Sequence, residues 1–92
     1  MIQHIVLWKF REDADPTEFL TRLQALEGQI ECIRSLKVRR SAVPNAQYDA
    51  VLVSEFDSLE DVEKYKNDPR HVAVADLCKS IRITRSAIDV EL

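Results

Sequence analysis

The 92-residue sequence contains a single glycine, Gly28, so it lacks the glycine-rich loops that hold nucleotide phosphates. Its two cysteines, Cys32 and Cys78, form no CxxC pair and no cluster with histidine, and neither a metal site nor a bound cofactor is therefore expected. Both cysteines fall among apolar residues in predicted helices, which is typical of reduced thiols in a core. The alternative is a disulfide, which requires that the two helices pack side by side.

Long apolar runs and an excess of positive charge are also missing. No run approaches the roughly 20 apolar residues of a membrane span, and residues 1–8 lack the features of a secretory signal, so we expect a cytoplasmic protein without membrane contact. The net charge of −3, from 13 Lys+Arg and 16 Asp+Glu, argues against nucleic acid as a partner. One basic stretch is interpreted as an edge strand protected by its charges: Arg34, Lys37, Arg39 and Arg40.

The hydrophobic pattern predicts one α+β domain, residues 1–92, with the element order βαββαβ. Strands are predicted over residues 2–10, 36–43, 48–56 and 82–90. Asp15 and Pro16 predict the start of the first helix, and Glu18 is expected to complete a capping box there. Apolar residues at helical spacing then continue from Phe19 to Ile33 and predict one apolar face.

The second helical region contains two segments. Ser58 is expected to cap the first segment, and Asp68-Pro69 to end it and begin the next. Two right-handed β-α-β units in series predict a four-stranded antiparallel sheet with its helices on one face. The first and third strands, which are the most apolar, then lie at the centre.

The central strands are apolar on both faces, although the helices are expected to cover only one. Ile5 and Leu7 share one face of the first strand, and the third strand has Val51 and Val53 opposite Leu52 and Phe56. The side chains on an uncovered sheet face are usually polar. We therefore predict a homodimer that packs sheet to sheet through the open face. Its cavity for a small-molecule ligand is expected either at the mouth of the resulting barrel or between each sheet and its helices.

Four side chains are candidates for that cavity. His4 and Trp8 share a face of the first strand and are predicted to contact a ligand. His71, third in its helix, suits a catalytic base, because the positive end of the helix dipole favours the neutral imidazole. Tyr65 lies on the apolar stripe of the preceding helix and is the fourth candidate. Alternatively, His4 and Tyr65 are core residues and His71 is an exposed residue at a helix start.

Three segments together resemble the stress-responsive A/B barrel domain family over the whole chain. They are His4-Ile5-Val6-Leu7-Trp8-Lys9, Val53 to Leu59, and Tyr65-Lys66-Asn67-Asp68-Pro69-Arg70-His71-Val72. The resemblance implies a ferredoxin-like fold and a homodimeric α+β barrel. In a plant branch of the family, the tyrosine and histidine that match Tyr65 and His71 catalyse a cofactor-free aldol cyclisation, and a histidine matching His4 lines the pocket. Asp68 and Ala50 replace two histidines of that enzyme, which implies a cavity of different polarity.

We therefore expect a dimer that binds a small carbonyl or phenolic molecule, with cyclase-like acid–base chemistry as its activity. Two alternatives remain: a non-enzymatic assembly protein related to stress, and a cofactor-free monooxygenase on the same fold.

Overall fold

A computed structural model describes residues 1–92 as four strands and three helices. Their order is β1 (Ile2–Phe10), α1 (Thr17–Gln24), β2 (Ser35–Arg40), β3 (Ala50–Phe56), α2 (Leu59–Asn67), α3 (Pro69–Lys79) and β4 (Arg82–Glu91). The strands form one antiparallel sheet in the order β2-β3-β1-β4. The ferredoxin-like α+β fold is therefore confirmed, with β1 and β3 at the centre and helices on one face.

The two faces of the sheet have different surroundings. Alternate residues of β1 and β3 are buried beneath the helices: Ile2, His4, Val6, Trp8, Phe10, Ala50, Leu52, Ser54 and Phe56. The other face of the central strands carries Ile5, Leu7, Val51 and Val53, which are only half-buried. Ile88 of β4 pairs with Ile5 and is 58% exposed. No helix of the chain covers this open face.

The first helix is shorter than its apolar stripe predicted. It ends at Gln24, where the bonds from Leu26 N to Leu23 O and from Glu27 N to Gln24 O tighten the chain into three-residue turns. Gly28 then adopts a φ of 90°, in the left-handed region that glycine tolerates. Ile30 is still buried, but it packs from a loop rather than from a helix.

The start of α1 and the end of β2 also differ from the predictions. Asp15 accepts hydrogen bonds from the Thr17 backbone and hydroxyl, whereas Glu18 completes no capping box and instead lies 3.7 Å from Arg22. β2 stops at Arg40 rather than at residue 43, because the Ser41 hydroxyl bonds locally to the backbone of residue 43 and turns the chain.

The later helices begin as expected. The Ser58 hydroxyl accepts a hydrogen bond from Asp61 N, and Asp68 accepts one from Arg70 N with Pro69 in the first turn. Both cysteines are free thiols, but Cys32 lies in the loop after α1 and not in a helix. None of the three helices combines the length and the hydropathy that crossing a membrane requires.

Candidate functional site

A cavity of about 60 Å³ lies between the helices and the inner face of the sheet. The four residues singled out in the sequence, His4, Trp8, Tyr65 and His71, all contribute to its lining. The remaining lining residues are Val6, Phe19, Leu23, Leu52, Ala75, Cys78, Arg82 and Arg85. Residues from all three helices and three of the strands therefore meet around one small and largely apolar space.

His4 is held on the inner face of β1 by a carboxylate on the neighbouring strand. It is only 2% exposed, and its Nδ1 lies 2.5 Å from Oδ1 of Asp89, its register partner on β4. Burial lowers the pKa of His4, while the hydrogen bond and the charge of Asp89 oppose that decrease. In the neutral ring, Nδ1 donates its proton to the carboxylate, so Nε2 keeps a free lone pair.

His71 reaches the cavity from the first turn of α3. Its Nδ1 lies 3.0 Å from the carbonyl oxygen of Lys66. A carbonyl oxygen can only accept a hydrogen bond, so Nδ1 carries the proton and Nε2 is left as an acceptor. Burial is the main reason that the pKa of His71 is lowered. The ring is therefore neutral at physiological pH and has a basic nitrogen available.

Tyr65 lies close to both imidazoles. Its ring centroid is 4.4 Å from that of His71 and 6.1 Å from that of His4. The side chain is buried on α2, and burial raises the pKa of its hydroxyl. The phenol consequently stays protonated and can donate a hydrogen bond to an acceptor in the cavity. A protonated phenol beside two unprotonated imidazole nitrogens can exchange a proton with a bound molecule.

Three charged residues near the cavity were not among the candidates from the sequence. Asp89 orients His4, and Arg82 and Arg85 are part of the lining. Alternation along β4 places Arg85 and Asp89 on one face, but only the pairing with β1 shows that this face meets the cavity. No group of three or more His, Cys, Asp or Glu side chains is arranged to hold a metal ion.

One family of protein domains matches almost the whole chain. The stress-responsive A/B barrel domain matches residues 2–92. A stress-response A/B barrel domain-containing protein of Arabidopsis thaliana is 33% identical over 79 residues. That match covers 80% of this chain but only 30% of the plant protein, so the chain spans less than a third of its relative's length.

Two solved structures resemble the fold closely. A dimeric ferredoxin-like protein of unknown function from Bacteroides fragilis has a TM-score of 0.88 and 33% identity, covering 99% of this chain and 95% of its own. A hydroxynitrile lyase from Passiflora edulis has a TM-score of 0.85, covering 99% of this chain and 92% of its own. The lyase is only 13% identical, so this likeness concerns the fold alone.

Proposed function

Because the chain belongs to the stress-responsive A/B barrel domain family, we propose that it works as a homodimer of single-domain subunits that bind a small carbonyl or phenolic molecule. The observation that carries this proposal is the shared cavity of His4, Trp8, Tyr65 and His71. Apolar walls with a few convergent polar groups are typical of small-molecule sites. A cytoplasmic location remains an expectation from the sequence.

The proposed chemistry is proton transfer next to a carbonyl group, without a cofactor. Nε2 of His71 takes a proton from the carbon beside the carbonyl, and the electrons of the broken C–H bond move to the carbonyl oxygen, giving an enolate. The Tyr65 hydroxyl donates a hydrogen bond to that oxygen as its negative charge develops. If the imidazolium of His71 exchanges its proton with solvent before returning one to carbon, an α-proton is exchanged. If the enolate carbon instead attacks a second carbonyl, a carbon–carbon bond forms, the π electrons of that carbonyl move to its oxygen, and this oxygen takes the proton from His71 to become a hydroxyl group.

The homodimer is proposed from the open face of the sheet. Ile5, Leu7, Val51 and Val53 remain half-buried there in a single subunit, and Ile88 is largely exposed. A contiguous apolar surface of this kind favours a partner, and a second copy can supply an equivalent one about a two-fold axis. The Bacteroides fragilis protein with this fold is also described as dimeric.

Solvent exchange tests the proposed chemistry directly. A panel of small ketones and keto acids is incubated with the protein in D₂O, and loss of the α-proton signals is followed by NMR. His71→Ala should slow the exchange by about 100-fold or more, which is the usual contribution of a positioned base. Tyr65→Phe keeps the ring but removes the donor, and it should slow exchange less, by about ten-fold or more.

Val72→Ala is the matched control, since Val72 follows His71 on α3 and is 44% exposed. With the Val72→Ala protein, the α-protons of the same compounds should exchange at the wild-type rate. A folded His71→Ala protein with undiminished exchange would exclude His71 as the base. If no compound exchanges and none raises the melting temperature, a non-enzymatic assembly function is favoured instead.

A further inference from the structure

The cavity has a charged side that the proton-transfer chemistry does not use. Arg82 and Arg85 of β4 both contribute to its lining. Arg82 is half-buried and Arg85 is exposed, whereas His4, Trp8 and Tyr65 are buried. The two guanidinium groups therefore mark the solvent side of a cavity whose inner side is uncharged.

Neither arginine has an acidic partner in the subunit. Most other cationic side chains form ion pairs, such as Arg22 with Glu18 and Arg70 with Asp68. Arg82 and Arg85 take part in none, and the same holds only for two exposed arginines of β2, Arg39 and Arg40. Asp89, on the same face of β4 as Arg85, is engaged by His4 and does not line the cavity.

From this arrangement we infer that Arg82 and Arg85 select a small carboxylate, whose carboxyl group they bind while its carbonyl group meets Tyr65 and His71. The planar fork of a guanidinium matches the two oxygens of a carboxylate. The contact of the carbonyl group with Tyr65 and His71 rests on the proposed function. Binding of the carboxyl group rests on the two arginines alone.

The size of the cavity and the position of the charges define the ligand further. At about 60 Å³, the enclosed space is well below the roughly 300 Å³ at which sites for drug-sized ligands begin, so a short chain of a few heavy atoms fits best. Arg85 and Tyr65 both line this cavity, and the charge of Arg85 opposes the rise that burial causes in the pKa of Tyr65. The ligand class is therefore a short oxo acid with its carbonyl a few bonds from the carboxylate.

A matched pair of probes tests whether the two arginines recognise a carboxylate. 4-Oxopentanoate and its methyl ester share the carbonyl but differ in charge, and their binding can be followed by fluorescence of Trp8, the one tryptophan of the chain. The acid should bind at least about ten-fold more tightly than the ester, as expected for charge-assisted hydrogen bonds. Arg82→Gln and Arg85→Gln should each weaken binding of the acid by about ten-fold and leave the ester unchanged.

Arg39→Gln is the control, because Arg39 is exposed on β2 and bonds only to the adjacent Val38 carbonyl. It should bind both probes as the wild type does. Equal affinity for acid and ester, or unchanged affinity for the acid in both cavity variants, would overturn the inference.

Two further measurements separate this inference from the proposed function. Binding of 4-oxopentanoate that depends on the arginines, without exchange of its α-protons in D₂O, would refute the base role of His71 but support the carboxylate site. Inorganic phosphate is the third probe. If it binds more tightly than 4-oxopentanoate and competes with it, the cavity recognises phosphate and the carboxylate assignment is wrong.

Discussion

The two histidines of the cavity are held in the same protonation state by different partners. Asp89 receives the Nδ1 proton of His4, and the Lys66 carbonyl receives that of His71. Because burial lowers the pKa of both rings, each presents an unprotonated Nε2 at neutral pH. Two neutral imidazoles can share one small cavity, whereas two imidazolium ions would repel each other there.

This arrangement predicts that the protein loses stability as the pH falls from about 7 to about 5.5. In the unfolded chain, histidines take up protons near pH 6.5, but His4 and His71 resist protonation in the folded state, so the unfolded state binds more protons and gains free energy relative to the fold. The free energy of unfolding, measured by urea denaturation at one fixed protein concentration, should decrease over this range. His71→Gln should make the decrease smaller. A stability that rises towards the acidic end would contradict the neutral assignment.

Among the cavity residues, those that a local pattern identifies could be predicted from the sequence. His4 and Trp8 follow from alternation within β1, and Tyr65 and His71 from helical spacing and the Asp68-Pro69 boundary. Asp89 could not be assigned this way, because its contact with His4 joins residues 85 positions apart. It depends on the register of β1 against β4, which no single element encodes.

At the level of elements, the free edge of β2 is covered by side chains from the last residue of α1 and from the turn that follows it. Gln24 donates a hydrogen bond to the Leu36 carbonyl at 2.9 Å and accepts one from Val38 N at 2.9 Å. Glu27 accepts a further bond from Leu36 N at 2.8 Å. The edge strand is thus protected by these hydrogen bonds in addition to the basic charges that the sequence indicated.

Removing this cover should destabilise the fold measurably. Gln24→Ala takes away one donor and one acceptor for the β2 backbone, and we expect it to lower the free energy of unfolding by about 1–3 kcal/mol, measured by denaturant titration. Gln29→Ala is the control, since the Gln29 side chain is exposed and forms no hydrogen bond, while its backbone bonds to Leu26 and Arg70 are kept in the variant. Equal stability of the two variants would show that water replaces the Gln24 bonds without cost.

The same region shows where a periodic pattern stops being informative about the backbone. Leu26 and Ile30 are both buried, as the apolar stripe predicts, yet neither is in the helix. Hydrophobic spacing reports which side chains face the core, and a compact loop can satisfy it as well as a helix can. The tightened turns and the positive φ of Gly28 decide the backbone, and neither has a clear signal in the surrounding apolar residues.

At the level of the whole molecule, the cavity and the open sheet face are separate surfaces. The cavity lies on the helix side, so pairing of two subunits through Ile5, Leu7 and Ile88 leaves Arg82 and Arg85 accessible. Stability and assembly are then coupled, because the open face gains burial only in the dimer. A chain of 92 residues has a small core, so burial in the proposed dimer would contribute a substantial part of its stability.

A single charge on the open face should therefore separate the subunits. Ile88→Lys puts an ammonium group at a position that is 58% exposed in the subunit, so the subunit should still fold, but in the dimer the charge would be buried without a partner. Sedimentation or light scattering at tens of micromolar should show a dimer for the wild type and a monomer for Ile88→Lys. Ile83→Lys, at a 62% exposed position near the start of the same strand, should remain dimeric. A wild-type monomer, or an Ile88→Lys protein that is still a dimer, would mean that the subunits do not pair through this face.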